Sequence, residues 1–149
     1  MTIKQNLQKA LTEAMKAQNS DVKRTLRLVM SSIKLAEVEL GSELDDARVL
    51  SILQKEVKTR EDTITEAKSA NRLDLVKAAE VEMAILQEFL PKQMDSEELT
   101  RIASEVIHET HATSLKDMGV VMKILIPKLE GRASGQDASK IVRELLQND

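Results

Sequence analysis

Apolar side chains recur at three- and four-residue intervals along almost the whole of this 149-residue chain, and little interrupts them. There are 4 glycines, 2 prolines and a single aromatic residue, Phe89. A sheet protein needs β-branched and aromatic strands broken by frequent turns, and that composition is missing. Spacings of three and four place apolar side chains on one face of successive α-helices instead. Hydrophobic residues make up 42% of the chain and charged residues 32%, enough to build a core rather than stay disordered. The expected fold class is all-α.

Helix boundaries follow from caps and breakers. Thr2 with Gln5 has the spacing of a capping box ahead of Ile3, Leu7, Ala10, Leu11, Ala14 and Met15. Asn19-Ser20-Asp21 offers the next cap, for a helix that turns Val22, Leu26, Val29, Met30, Ile33 and Ala36 inward and ends at Leu40-Gly41. Asp45 or Asp46 opens a third helix with Val49, Leu50, Leu53, Val57, Ile64 and Ala67 on its apolar face. After the break at Ser69–Arg72, Asp74 is expected to cap a fourth, carrying Val76, Ala79, Met83, Leu86 and Leu90. Pro91 has no N–H to donate, so this helix stops at Phe89-Leu90.

Phe89, Leu90 and Pro91 thus form a hinge. An N-terminal four-helix, bundle-like domain (1–92) is expected before it and a small three-helix domain (93–149) after it. In the second domain, Asp95 and Glu98 are placed to form a capping box, Ser114 with Asp117 opens a helix that Pro127 bends or ends and Gly131 closes, and Asp137 caps the last helix.

Composition excludes several functions. Without cysteine there is no disulfide, thiolate zinc site, iron–sulfur cluster or cysteine nucleophile. One ring gives no stacking platform for single-stranded nucleic acid. The formal charge of −3 means that any nucleic acid must be met by a local patch. No apolar run spans a bilayer, and the first residues lack signal or transit character, so a soluble cytoplasmic protein with no membrane partner is expected.

Three short motifs have the right residue types for chemistry. Ser31-Ser32-Ile33-Lys34 contains the Ser-x-x-Lys spacing of acyl-transfer enzymes, but a second base and an oxyanion hole are not in evidence, and a solvated helix face explains it better. His108-Glu109-Thr110-His111, with Glu105, resembles half of a helical two-metal site; the other half is missing, so no metal and no cofactor are expected. Gly131-Arg132-Ala133-Ser134-Gly135 lies between two short helices, where a helix cap and turn is one reading and a phosphate cradle the other. Around it Lys123, Lys128, Arg132, Lys140 and Arg143 outnumber Glu130 and Asp137, a basic zone in an acidic molecule.

Taken together, Asp117-Met118-Gly119-Val120-Val121-Met122, the run from Pro127 through Gly131-Arg132-Ala133-Ser134-Gly135, and Phe89-Leu90-Pro91-Lys92-Gln93-Met94 followed by Glu97-Glu98-Leu99 resemble the signatures of the YqeY-like family. Arg60 and Arg72 also sit where that family tends to carry arginine, while Phe89 replaces its usual tyrosine. The resemblance implies a helical bundle followed by a three-helix module akin to the tail of the B subunit of the glutamine-dependent aminoacyl-tRNA amidotransferase. A similar domain is appended to some glutaminyl-tRNA synthetases.

In those proteins the tail contacts tRNA and other domains perform the chemistry, so a carbon–nitrogen ligase label with glutamine as donor reflects the shared tail. The expectation is a non-catalytic tRNA-binding or tRNA-associated protein. Lys123, Lys128, Arg132 and Lys140 would contact phosphates, and Gly119, Gly131 and Gly135 would permit close approach. The competing expectation is an adaptor that docks on a synthetase, an amidotransferase or another translation protein.

Overall fold

The computed structural model describes residues 1–147, and among them helices are the only regular structure. Seven α-helices run in the order α1 (Ile3–Lys16), α2 (Ser20–Leu40), α3 (Asp46–Ser69), α4 (Leu73–Gln87), α5 (Ser96–Thr110), α6 (Met118–Leu129) and α7 (Gly135–Gln147), with one turn of 3-10 helix at Leu115–Asp117 before α6. The chain forms two compact units, Met1–Pro91 and a second that begins at Lys92.

In the first unit the local signals act as their chemistry dictates. Thr2 Oγ1 accepts the Gln5 N–H at 3.1 Å while Gln5 Oε1 accepts the Thr2 N–H at 2.9 Å, which completes the capping box of α1. Asn19 Oδ1 caps α2 through the Val22 N–H at 3.3 Å, and Asp45 Oδ1 caps α3 through the Arg48 N–H at 2.9 Å. Gly41 closes α2 at φ 84°, a left-handed conformation that costs a side chain-bearing residue free energy. Leu7, Leu26, Val29, Ile33, Val49, Leu53, Val57 and Leu86 meet in one core. Each large aliphatic buried there contributes about 1.5–3 kcal/mol.

One cap differs from expectation. Asp74 does not cap α4: Arg72 occupies the cap position, and Asp74 lies in the first turn, where it pairs with the Arg72 guanidinium at 3.2–3.3 Å. The left-handed Asn71 (φ 57°) delivers the Arg72 N–H to the Ala67 carbonyl at 2.8 Å, so the helix begins before the acid is reached. At the other end α4 tightens into two i→i+3 bonds, Phe89 to Leu86 and Leu90 to Gln87, ahead of Pro91. Phe89 and Leu90 are half-buried against the core of this unit.

The second unit has its own core of Leu99, Ala103, Val106, Val121, Leu125, Leu129, Ala138, Val142 and Leu146. Asp95 Oδ1 accepts the Glu98 N–H at 2.8 Å, yet the Glu98 carboxylate turns elsewhere, so only half of the anticipated box forms. Ser114 and Asp117 do make a capping box, but it opens the 3-10 turn, and α6 starts at Met118. Helix α6 continues through Pro127 for two more residues, and burial of Leu129 beyond the proline offsets the hydrogen bond that its ring removes. Ser134, not Asp137, caps α7: its Oγ accepts the Asp137 N–H at 3.1 Å, and Asp137 lies inside the first turn, where negative charge suits the helix dipole.

Candidate functional site

The Gly131–Gly135 loop is stitched to the segment that leads into α5. Arg132 Nη1 and Nη2 reach Glu98 Oε1 and Oε2 at 3.0 and 3.1 Å, a two-pronged ion pair, and Arg132 Nε donates to the Lys92 carbonyl at 2.9 Å. In return the Met94 N–H donates to the Arg132 carbonyl at 2.8 Å, and Gln93 Nε2 donates to the Gly131 carbonyl at 3.2 Å. Glu130 (φ 50°) and Gly131 (φ 76°) turn the chain through the left-handed region to make this possible. In the sequence Glu98 reads as a capping residue and as part of the family signature; its partner lies 34 positions away, and no local signal announces the pair.

The remaining basic residues are placed differently. Lys128 Nζ rests against Glu109 Oε2 at 3.1 Å with both side chains in solvent. Lys123 on α6 and Lys140 on α7 are exposed and have no carboxylate partner among the described residues. Gly119 lies exposed in the first turn of α6, and a Cβ there would meet nothing within 4 Å. At Gly135 a Cβ would lie 3.6 Å from Ile126 Cδ1, an ordinary contact. Asp117, just before α6, accepts the N–H groups of Thr113 and Ser114 at 2.9 and 3.2 Å, and these bonds hold its carboxyl below the usual aspartate value. Helix α6 also exposes apolar surface, with Val120 at 57% and Ile126 at 43%.

His108 and His111 border a pocket of about 460 Å³ with Ser104 and Thr113, but no group of three metal-ligating side chains gathers among the described residues. Ser31 and Lys34 lie exposed on α2. Among the described residues no helix is long and apolar enough to cross a membrane. Arg60 is buried on α3, where it pairs with Glu56 and, at 3.2 Å, with Glu82 of α4.

These features define an all-helical protein of two units, the second built around an arginine-clamped loop with solvent-facing lysines on the helices beside it. A family model described as Yqey-like protein matches residues 4–146, and the chain belongs to that family. It is 29% identical over 146 residues to altered inheritance of mitochondria protein 41, mitochondrial, of Pyrenophora tritici-repentis, covering 94% of this chain and 78% of that protein. The protein of the same name from Lachancea thermotolerans is 31% identical over 119 residues, 75% of this chain and 64% of its own length. An uncharacterised protein of Schizosaccharomyces pombe is 34% identical over 86 residues, 58% of this chain and 70% of that protein.

Proposed function

We propose that this chain is a non-catalytic accessory protein that associates with tRNA through its C-terminal unit. The observation that carries the reading is the pair Lys123 and Lys140, exposed on α6 and α7 without carboxylate partners among the described residues. Free ammonium groups neutralise phosphates and release condensed counterions, which drives sequence-independent binding. Lys128 joins them, because a solvent-exposed ion pair such as Lys128–Glu109 is worth only about 0–1 kcal/mol and a phosphate can replace the carboxylate. Gly119 lets a phosphate come close to the backbone of the first turn of α6. Arg132 acts indirectly in this reading, holding the loop in shape through Glu98.

The test is tRNA binding followed by fluorescence anisotropy over a potassium chloride series. Affinity should fall steeply with salt, and Lys123→Ala or Lys140→Ala should each lower the log–log slope by about 0.7–0.9. Salt-independent binding, or none to bulk tRNA at low salt, refutes the proposal. Glutamine hydrolysis by the purified chain, abolished by one point change, refutes its non-catalytic part.

The apolar face of α6, with Val120 and Ile126 exposed, favours a second reading as an adaptor for a translation protein, which a pulldown that survives nuclease treatment would support. Charged tRNA occurs in mitochondria as well as in the cytoplasm, so the reading suits the compartment for which the relatives are named and the cytoplasm expected from the sequence alike.

A further inference from the structure

A second surface lies in the first unit and owes nothing to the tRNA reading. At 3.6 residues per turn, the outer face of α2 divides into two parallel rows. Lys23, Arg27 and Lys34 fall in one, and Leu28 and Leu35 in the other, with Ser31 and Val38 between them. The aliphatic side chains are unusually bare: Leu28 is 49% exposed, Leu35 62% and Val38 71%. The side chains of Lys23, Arg27 and Lys34 have no hydrogen-bond or ion-pair partner among the described residues.

Acids near this face are already occupied or peripheral. Glu37 is tied to Lys4 Nζ at 2.9 Å and to the Leu44 N–H at 2.9 Å. Asp21 pairs with Arg24, and Glu39 lies at the far edge beyond Leu28 and Leu35.

Arg27 and Lys34 of the cationic row also line a groove of about 500 Å³ along the seam between α1 and α2, together with the Lys4–Glu37 ion pair, with Gln8 on the opposite side and Leu11, Met30 and Ile33 in its apolar part. Ser31, small and exposed, leaves a dip between Arg27 and Lys34. A concave apolar seam takes in side chains, which a flat lipid surface does not supply. Bare leucines gain nothing from a phosphate backbone, so the combination disfavours RNA.

We propose that the α2 face and the α1–α2 groove dock an acidic amphipathic helix of a partner protein. Its apolar residues would cover Leu28, Leu35 and Val38 and enter the groove, and its flanking carboxylates would pair with Lys23, Arg27 and Lys34. From Arg27 to Val38 the face rises about 16 Å, three turns of a facing helix.

The test uses the full chain and a fluorescein-labelled synthetic peptide of about 18 residues, with leucine at the heptad core positions and glutamate flanking them. A second peptide has lysine in place of every glutamate. Binding is read by anisotropy near physiological salt. The glutamate peptide should bind and the lysine peptide should not. The double change Arg27→Glu with Lys34→Glu should weaken binding at least about tenfold, and Leu35→Ser severalfold. Lys123→Glu, in the other unit, should leave peptide affinity unchanged. All four positions are exposed, and unchanged helical circular dichroism confirms that each variant is folded.

Equal binding of both peptides, or none of the glutamate peptide, overturns the proposal. Displacement of the bound peptide by bulk tRNA or by phosphatidylglycerol vesicles at matched charge would assign the face to a polyanion or a lipid and overturn it too. Self-association of the chain that Leu35→Ser abolishes would give the face to a second copy, with the same result.

Discussion

Arg132 and Arg60 show how one residue type can take a structural role in each unit. The Arg132 guanidinium uses its fork for Glu98 and its Nε for the Lys92 carbonyl, with about a third of the side chain still in solvent. Arg132→Ala should therefore cost about 1–2 kcal/mol, measured as a shift in urea midpoint, and Arg132→Lys should not restore it because an ammonium cannot make the paired bonds. Arg60 is only 8% exposed and holds two carboxylates, Glu56 and Glu82, that are themselves mostly covered. Its removal leaves those acids together without their cation, so Arg60→Ala should cost about 3 kcal/mol in the same assay.

Protonation acts at the same scale. The Lys4 ammonium first, and the Leu44 N–H second, hold the Glu37 carboxyl below its ordinary 4.5. A lowered carboxyl contributes stability that is complete above 4.5 and lost as the pH falls through the folded-state value. Denaturant midpoints followed from neutral pH into acid should drop less for Glu37→Gln than for the parent chain.

At the scale of the element, the caps separate what a helix needs from what merely lies near its end. Ser134 satisfies a backbone donor of α7, whereas Asp137 contributes only its charge to the first turn. Ser134→Ala should cost about 1 kcal/mol and Asp137→Asn a few tenths, a contrast that thermal melts can resolve. Reversed magnitudes would return the cap to Asp137. Helix α2 shows a different separation. Its inward stripe of Leu26, Val29 and Ile33 is fully buried, while Leu28, Leu35 and Val38 on the outside serve no core. An amphipathic helix with a second apolar row exceeds what folding of this unit requires, which is why that face carries a binding proposal.

For the whole molecule, a net charge of −3 and the lack of any Tyr, Trp or second Phe beside Phe89, which is half-buried in the first unit, restrict how nucleic acid can be held. Without stacking, a change of bases in a single strand of fixed length should alter affinity far less than added salt does, and a strong base preference that persists at high salt would show a mode of contact that lysines do not provide. Helical class, the capping of α1, α2 and α3, the stop at Gly41 and the ending of α4 ahead of Pro91 were all legible in the chain. Those features arise from helix periodicity and from bonds across three or four residues, so their causes lie side by side in the sequence. The caps of α4 and α7 were misplaced because an acid within the first turn satisfies the same compositional rule as one at the cap. Only the tertiary structure decided which cations are free: Arg132 meets Glu98 across 34 positions and Arg60 meets Glu82 across 22, while Lys123 and Lys140 meet no acid among the described residues. Charge pairing depends on distance through space, and that distance is set by how the helices pack rather than by their order along the chain.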